Sequence, residues 1–216
     1  MAAAGCLLPH YSSKEYLAIS LVQVVAAWTA VAFSNYALEG VSLISTPARS
    51  CRLFCGVYFV LCFSLLRLKS RAKFTASQLI KLVILLLGSC VSFHVIAVLF
   101  GAPLSEQSEE TFCWALLVSH LVILPASSLL GTQLELIPKI FFSTWSDATP
   151  EAYFQCSITC TLVGAWIGAF PIPLDWDRPW QVWPIPCVIG AIVGYITGLG
   201  ASTVLVGINE KRLRLH

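Results

Sequence analysis

The segment before the last apolar stretch concentrates acidic, basic and aromatic side chains. They are Asp175, Trp176, Asp177, Arg178, Trp180 and Trp183. An arginine can bind phosphate through two parallel hydrogen bonds, and an indole can stack on a sugar, so this segment could contact a phosphate or a sugar. Equally, the charges could pair within the loop while the tryptophans anchor at a membrane interface. Two carboxylates could also act as acid and base, but no nucleophile accompanies them.

His94 and three glutamates are the other polar candidates. His94 lies inside an apolar stretch, about 9 Å below its outer end at the helical rise per residue. At that depth a histidine either bonds to a neighbouring helix or lines a functional cavity. Glu106, Glu109 and Glu110 precede the next apolar stretch, where carboxylates stabilise a helix N-terminus. Alternatively, they contact a cationic or metal-bearing partner.

No motif predicts a bound metal or cofactor, and we expect neither. The nine cysteines include no CxxC pair, and the sequence has no HxxxH pair and no Gly-rich phosphate loop. Most cysteines lie in apolar runs, where the side chain behaves as a small hydrophobe. Cys51, Cys113 and Cys187 fall near the outer ends of apolar stretches, so a disulfide is possible in an oxidising compartment.

Membrane-spanning helices are the elements that must position these residues. The 216 residues are 57% hydrophobic and 11% charged, with a mean hydropathy of +0.81, far more apolar than a typical soluble domain. Six stretches are long enough to cross a hydrocarbon layer of ~30 Å, and each should be a helix. They are 16–36, 51–68, 79–100, 111–131, 153–170 and 184–207. We therefore expect an all-α polytopic membrane protein, a single six-helix transmembrane domain over residues 1–216 with short loops and no soluble domain.

Basic residues predict the orientation of these helices. Ten of the 13 lysines and arginines fall on one side, and the other side has only Arg49, Arg52 and Arg178. Because basic residues accumulate in cytoplasmic loops, both termini should be cytosolic. The segments with the glutamates and with Asp175 then face the other compartment. The net charge of +2 is too small to indicate a nucleic-acid partner.

Glycines recur at every fourth position in the last two stretches. They are Gly164 and Gly168 in the fifth stretch, and Gly190, Gly194 and Gly198 in the sixth. Such stripes let helix backbones approach closely. They predict either packing inside the chain's own bundle or a docking face for another membrane subunit.

Two prolines and one amphipathic segment complete the pattern. Pro125 predicts a bend in the fourth stretch. The spacing of Leu134, Ile137, Phe141 and Trp145 predicts an amphipathic segment on the cytosolic membrane surface. Pro138 should keep any helix there short or kinked.

Three segments resemble one known family. They are Phe93-His94-Val95-Ile96 running to Gly101-Ala102-Pro103-Leu104, then Glu110-Thr111-Phe112, and above all Gly164-Ala165-Trp166 running through Pro171-Ile172-Pro173-Leu174-Asp175-Trp176-Asp177-Arg178-Pro179-Trp180-Gln181-Val182-Trp183-Pro184. Together they resemble the phosphatidylinositol-glycan biosynthesis class F protein family. The likeness covers the third to sixth stretches and their outer loops, about half of the chain, and the first two stretches resemble the family only in hydropathy.

The resemblance implies a role in assembling glycosylphosphatidylinositol (GPI) anchors in the endoplasmic-reticulum membrane. Members pair with and stabilise larger ethanolamine-phosphate transferases, which move phosphoethanolamine from phosphatidylethanolamine to mannoses of the glycolipid on the lumenal side. The implied role is non-catalytic, with transferase subunits, membrane lipid and the GPI precursor as partners. Candidates for contact with a partner or lipid are His94, Glu106, Glu110, Asp175, Trp176, Asp177, Arg178, Trp180 and Trp183.

A rival interpretation makes the chain itself a small intramembrane enzyme or lipid carrier. It would act directly on phosphatidylethanolamine or on the GPI lipid. His94, Glu110, Asp175 and Asp177 would then have to converge on one lumenal cavity. Their placement in the structure therefore discriminates between the two interpretations.

Overall fold

A computed structural model of the chain describes residues 11–36, 39–70, 75–103, 105–132, 140 and 150–215. Six α-helices with no strand make up the regular structure of these residues, together with one short 3-10 helix, Pro179–Gln181. The helices are α1 Ser13–Tyr36, α2 Pro47–Lys69, α3 Ala76–Leu99, α4 Ser108–Leu130, α5 Pro150–Ile167 and α6 Ile185–Leu215. Each predicted apolar stretch overlaps one of them, and the expected all-α class is confirmed.

Five of the six helices are long and apolar enough to cross a membrane. They are α1, α2, α3, α4 and the part of α6 from Ile185 to Asn209. The fifth helix, α5, has only 18 residues and does not reach the same apolarity. Glu151 and Gln155 in its first half account for part of that difference. A crossing by α5 stays a prediction.

Local sequence signals explain where several helices begin and end. Thr75 and Gln78 form a reciprocal capping box at the start of α3, in which the Gln78 Oε1 accepts from the Thr75 N–H at 2.9 Å. Pro47 opens α2, as the missing N–H of proline allows. Gly131, with φ of +90°, follows the last residue of α4. Pro125 lies inside α4, and the helix continues past it to Leu130.

The helices form a bundle with α4 at its centre. Helix α4 contacts α2, α3, α5 and α6, and α1 contacts α2 and α6. In the most apolar window of α4, 94% of residues are buried inside the bundle, against 22% for α3. Helix α3 therefore lies at the edge of the bundle, with most of its surface available to lipid.

Consecutive helices run in opposite directions, so their connections lie at two ends. One end, here called the loop end, has the α5–α6 connection and the starts of α2 and α4. Arg52 of α2 and Glu109 of α4 pair there at 2.7 Å. At the opposite end, the Arg67 Nη1 donates to the Ser128 carbonyl oxygen at 3.0 Å. The predicted amphipathic segment of Leu134, Ile137, Phe141 and Trp145 lies outside the described residues.

Candidate functional site

The α5–α6 loop, residues 168–184, is held together by Gln181. This side chain is buried, and its Nε2 donates to the carbonyl oxygens of Pro171 at 2.5 Å and Leu174 at 2.6 Å. Its Oε1 accepts from the Arg178 backbone N–H at 3.2 Å. One amide group thus fixes three backbone positions of the loop. The sequence interpretation missed Gln181, and a lone polar residue between Trp180 and Val182 was the only signal for it.

Trp183 joins the loop to the start of α4. Its indole Nε1 donates to the Thr111 Oγ1 at 3.0 Å, and its ring lies 5.6 Å from the ring of Trp114. Thr111 and Trp114 are both buried. Of the three tryptophans considered as membrane anchors, Trp183 therefore uses its N–H inside the chain.

The charged residues of the loop project outward. Asp175, Trp176, Asp177 and Arg178 are all exposed. Asp177 has φ of +47°, a left-handed conformation that aspartate tolerates better than most residues. Over the described ranges, the ion pair found is Arg52 with Glu109. The pairing of Arg178 with a neighbouring aspartate, one of the interpretations of the sequence, is not formed.

Exposed apolar side chains precede and follow these charges along the chain, and we call them the aromatic patch. They are Trp166, Ile167, Phe170, Leu174, Trp176 and Val182. Edge-to-face contacts join Trp166 to Phe170 at 5.0 Å between ring centroids, and Trp176 to Trp180 at 6.1 Å. An apolar patch of this kind next to charges is typical of a surface that meets a membrane interface or another protein.

Below the loop, α5 and α6 meet glycine to glycine. A Cβ built on Gly190 would collide with the carbonyl oxygen of Gly164, and one on Gly164 would lie 2.9 Å from the Cα of Gly194. A Cβ on Gly168 would collide with the carbonyl oxygen of Pro186. Because the obstructing atoms belong to the backbone, no side-chain rotation could relieve these contacts. The contact needs glycine on both helices.

Gly198 extends this contact toward the opposite end. A Cβ there would lie 2.8 Å from the Cβ of Cys160 and 2.9 Å from the Cα of Ser157, both in α5. The whole stripe of α6 is thus covered by α5. With α5 in place, the stripe offers no docking face to another subunit, which removes that alternative.

A neighbouring face of α6 carries a buried polar network that the sequence interpretation did not find. The Tyr195 hydroxyl donates to the Gln23 Oε1 at 2.5 Å and lies 2.7 Å from the Tyr58 hydroxyl. The Gln23 Nε2 lies 3.5 Å from the Tyr153 hydroxyl. All four side chains are buried. They join α1, α2, α5 and α6 through one set of hydrogen bonds.

Ser20 continues the network by one turn of α1. Its hydroxyl lies 2.7 Å from the Tyr153 hydroxyl and 2.7 Å from the Thr203 Oγ1. These partners are 133 and 183 positions away in the sequence. No local pattern could have indicated that these residues meet. The network satisfies its own donors and acceptors, which indicates a structural role.

His94 and the glutamates take no part in the loop contacts described above. His94 is partly buried beside Phe112, with ring centroids 6.3 Å apart, and its Nδ1 has no hydrogen-bond partner among the described residues. Glu106 is exposed in the turn before α4, and Glu110 is partly buried in the first turn. The α4 N-cap, Gln107, makes no side-chain capping hydrogen bond.

No hydrogen bond or ion pair joins the four described residues that the rival interpretation requires to converge, His94, Glu110, Asp175 and Asp177. Asp175 and Asp177 face outward, and His94 packs against Phe112. A cavity near the loop end is lined by neither aspartate, nor by His94 or Glu110. Within the described ranges, no group of three histidine, cysteine or acidic side chains is arranged to hold a metal ion.

Fold and site together define a class: a polytopic helical membrane protein with an aromatic loop, held by its own hydrogen bonds, at one end of the bundle. The chain belongs to the GPI biosynthesis protein family Pig-F, whose sequence model matches residues 17–203. The matched range includes most of every helix as well as the loop. The family resemblance noted from the sequence is confirmed.

Curated relatives carry names from the same pathway. The human "GPI ethanolamine phosphate transferase, stabilizing subunit" is 46% identical over 134 residues, 62% of this chain and 61% of that protein. The mouse protein of the same name is 40% identical over 145 residues, 67% of this chain and 66% of its own length. In Yarrowia lipolytica, "Glycosylphosphatidylinositol anchor biosynthesis protein 11" is 43% identical over 101 residues, 47% of this chain and 44% of that protein. The chain thus matches less than two thirds of the length of each, and no solved structure matches it.

Proposed function

We propose that this chain is a non-catalytic subunit that stabilises a larger ethanolamine-phosphate transferase of GPI-anchor biosynthesis in the endoplasmic-reticulum membrane. The observation that carries the proposal is the family match across residues 17–203, together with the printed names of the human and mouse relatives. The transferase would add phosphoethanolamine to mannoses of the GPI precursor, and this chain would keep it folded and in place.

The arrangement of the loop supports a binding role over a catalytic one. Its buried polar side chain, Gln181, is fully used in bonds to the loop backbone. Its charged side chains are exposed and are not held against a nucleophile or base. Such a loop can present a surface to a partner without undergoing chemistry itself.

We place the loop end in the lumen and both termini in the cytosol. Arg49, Arg52 and Arg178 are the basic residues at the loop end, whereas most other lysines and arginines lie at the opposite end. This asymmetry is the one that orients membrane helices. It requires α5 to cross the membrane beside α6, and the glycine contact between the two helices supports such a paired crossing.

The aromatic patch is the surface that we assign to the transferase. The glycine stripe and the polar network are internal, so neither is free to bind another subunit. Trp166, Phe170 and Trp176 are each more than half exposed, at 57%, 58% and 57%. Aromatic side chains of this kind contribute much of the binding energy at protein interfaces.

The proposal is tested by expressing the transferase with and without this chain. We expect transferase abundance and ethanolamine-phosphate addition both to fall several-fold without it. The double variant Phe170→Ala/Trp176→Ala should lower both while the variant itself accumulates normally. Val204→Ala, an equally exposed position on α6 away from the loop, is the matched control. Unchanged abundance and addition in the absence of the chain would overturn the proposal.

A second experiment addresses the rival interpretation. Purified chain is placed in vesicles with phosphatidylethanolamine and a mannose-bearing GPI precursor, with no transferase present. We expect no transfer of phosphoethanolamine. Transfer by the chain alone would make it an enzyme and would replace the subunit proposal.

A further inference from the structure

Four lysines lie at the end of the bundle opposite the loop end, and we call them the end lysines. They are Lys14 of α1, Lys69 of α2, Lys81 of α3 and Lys211 of α6. All four side chains are exposed. Each belongs to a different helix, and none belongs to the central helix α4. The charges are therefore spread over the outer helices of the bundle.

Hydrogen bonds between helices place Lys14 and Lys211 at a similar level. Ser20 of α1 lies 2.7 Å from the Thr203 Oγ1 of α6. From that bond, Lys14 lies six residues and Lys211 eight residues toward the same end, about 9 and 12 Å at the helical rise. The two ammonium groups thus leave the bundle at the same end and at nearly the same height.

The other two end lysines lie beside the C-terminus of α4. The Arg67 Nη1 donates to the Ser128 carbonyl oxygen at 3.0 Å, and Lys69 is two residues further along α2. Lys81 lies about 8 Å inside α3, counted from its first residue. A lysine side chain at that depth extends along the helix, so that its ammonium group reaches the membrane surface.

Long uncharged segments show how deep these lysines lie in a bilayer. Each end lysine is within three residues of such a segment. The segments are 16–38, 53–66, 82–105 and 179–209. The boundary between a long apolar segment and a basic residue is where hydrocarbon gives way to lipid headgroups. The four ammonium groups therefore lie at headgroup level.

No ion pair occupies these ammonium groups among the residues that the structure describes. The ion pair found there, Arg52 with Glu109, is at the loop end. The acid next to Lys14 is Glu15, whose Oε2 accepts from the Ser12 backbone N–H at 2.7 Å and caps α1. The end lysines thus present positive charge to their surroundings.

The distribution of the charges favours lipid over a protein segment as the ligand. A segment of a partner would reach one or two of four separate helices, whereas phospholipids surround the whole bundle. A lysine ammonium group is a point charge that binds phosphate. A zwitterionic headgroup also carries a positive charge that repels lysine, so an anionic headgroup binds more tightly.

We propose that the end lysines bind anionic glycerophospholipids, each through its own ammonium group, in the leaflet at the end of the bundle opposite the loop end. The ligand chemistry is a lipid phosphate in a headgroup of net negative charge. This binding requires neither the proposed stabilising function nor a particular orientation of the chain. Failure of either proposal therefore leaves the other standing.

Photolabelling with two lipid probes tests the proposal. The full chain is reconstituted in phosphatidylcholine vesicles with a trace of phosphatidylserine or phosphatidylcholine, each with the same diazirine near the glycerol. Labelled residues are mapped by mass spectrometry. In residues 16–20, 62–66, 82–86 and 205–209, next to the end lysines, labelling should favour phosphatidylserine about fivefold. Residues 111–115 and 185–189, at the loop end, should show no preference, because acids outnumber arginines there.

Single variants test whether each lysine acts on its own lipid. Lys81→Gln should abolish the preference in residues 82–86 and leave it unchanged in residues 62–66. Lys69→Gln should do the reverse, and Lys81→Arg should retain the preference. Arg49→Gln is the matched control, because it removes an exposed positive charge at the loop end. It should change neither segment.

Salt provides a test on the unaltered chain, should a variant fail to fold. Raising NaCl from ~0.05 to ~0.5 M shortens the screening length about threefold and should remove most of the preference. Addition of inorganic phosphate at constant ionic strength should have no effect. If phosphate removed the preference, the lysines would bind phosphate from solution and the assignment to lipid would be wrong.

Three further outcomes would overturn the proposal. The first is equal labelling by the two probes in all segments. The second is loss of the preference in every segment after Lys81→Gln alone, because the lysines would then not act separately. The third is loss of the preference when a transferase is co-reconstituted, because a partner segment would then be the ligand of the end lysines.

Discussion

Two neighbouring faces of α6 are held against the rest of the bundle by different means. On one face, Gly190 and Gly194 have no side chain, and the backbone of α5 lies directly against them. On the other face, Tyr195 reaches across to Gln23 and Tyr58 through its hydroxyl. The glycine contact requires residues without side chains, whereas the tyrosine contact requires one hydroxyl group in the right position. The two should therefore fail in different ways when they are altered.

Inside a membrane, the glycine contact and the tyrosine hydrogen bonds both provide a reason for helices to associate. Lipid is as apolar as the helix surface, so burying hydrocarbon gives helices little reason to associate. Close backbone approach gains van der Waals contact, and buried hydrogen bonds gain directional specificity. Helix α6 uses both kinds of contact on adjacent faces, which fixes its distance from α5 and its rotation about its own axis.

The largest effect is expected from Gly190→Leu. The added side chain would meet the carbonyl oxygen of Gly164 and the Cα of Gly168. Overpacking lowers the free energy of unfolding by about 1–3 kcal/mol, and by more where the neighbours cannot move. We therefore expect a loss of stability of at least about 3 kcal/mol and poor accumulation of the protein. Gly200→Leu is the control, because a Cβ there has no atom within 4 Å. Size-exclusion profiles and thermal midpoints of unfolding in detergent are measured for both variants. Equal midpoints for the two variants would contradict the backbone contact.

Tyr195→Phe should have the next largest effect. It keeps the ring and removes the hydroxyl that binds Gln23 and Tyr58, leaving a buried amide oxygen without its donor. Losing such a bond costs about 1–2 kcal/mol, near the upper end of what membrane proteins show. Thermal midpoints are compared with those of Tyr36→Phe, whose ring is 87% exposed. If the two variants melted together, the network would contribute nothing to stability.

Gln181→Leu extends the comparison to the loop that leads into α6. The leucine fills a similar volume and cannot donate to Pro171 or Leu174. We expect the free energy of local opening of the loop to fall by about 1 kcal/mol, because the lost hydrogen bonds are within the loop itself. Hydrogen exchange should rise in residues 171–178 while the thermal midpoint of the bundle changes little. Gln107→Leu is the control, since that side chain caps nothing. A large fall in the midpoint would mean that the loop supports the whole bundle.

The smallest effect is expected from Thr203→Val. Valine has the same shape, and Ser20 retains its bond to the Tyr153 hydroxyl at 2.7 Å. The loss in the free energy of unfolding should therefore stay near the average of about 0.6 kcal/mol for a hydrogen bond between membrane helices. Thr197→Val, exposed on α6 and bonded only to its own helix, gives the baseline. A cost equal to that of Tyr195→Phe would show that the network acts as one unit.

Hydropathy was sufficient to find the helices but not to arrange them. All six predicted stretches overlap helices, yet α3 has the most apolar window, at a mean hydropathy of 2.6, and is the least buried. Helix α4, with 1.9, is the most buried. The reason is physical: hydropathy measures compatibility with lipid, and both lipid and neighbouring helices are apolar surroundings. The ranking of helices by burial cannot be obtained from it.

The candidate site, like the fold, could be predicted from the sequence only in part. Glycine spacing indicated close packing, and the short connection between the last two stretches made them natural neighbours. The composition of the loop drew attention to Asp175 and Arg178, but its organising residue is Gln181, a single amide with no pattern around it. The tyrosine and glutamine network joins residues more than 100 positions apart, so only the folded chain brings it to view.

The central position of α4 has a consequence for how the protein is made. Its surface is almost entirely covered, in part by α5 and α6, which leave the ribosome after it. At ~5–20 residues per second, synthesis from Leu130 to Ile185 takes several seconds. During that interval the part of the α4 surface that α5 and α6 cover in the finished protein lies in the membrane without those helices. Biogenesis therefore includes a half-assembled stage in which a chaperone for membrane helices would find its substrate.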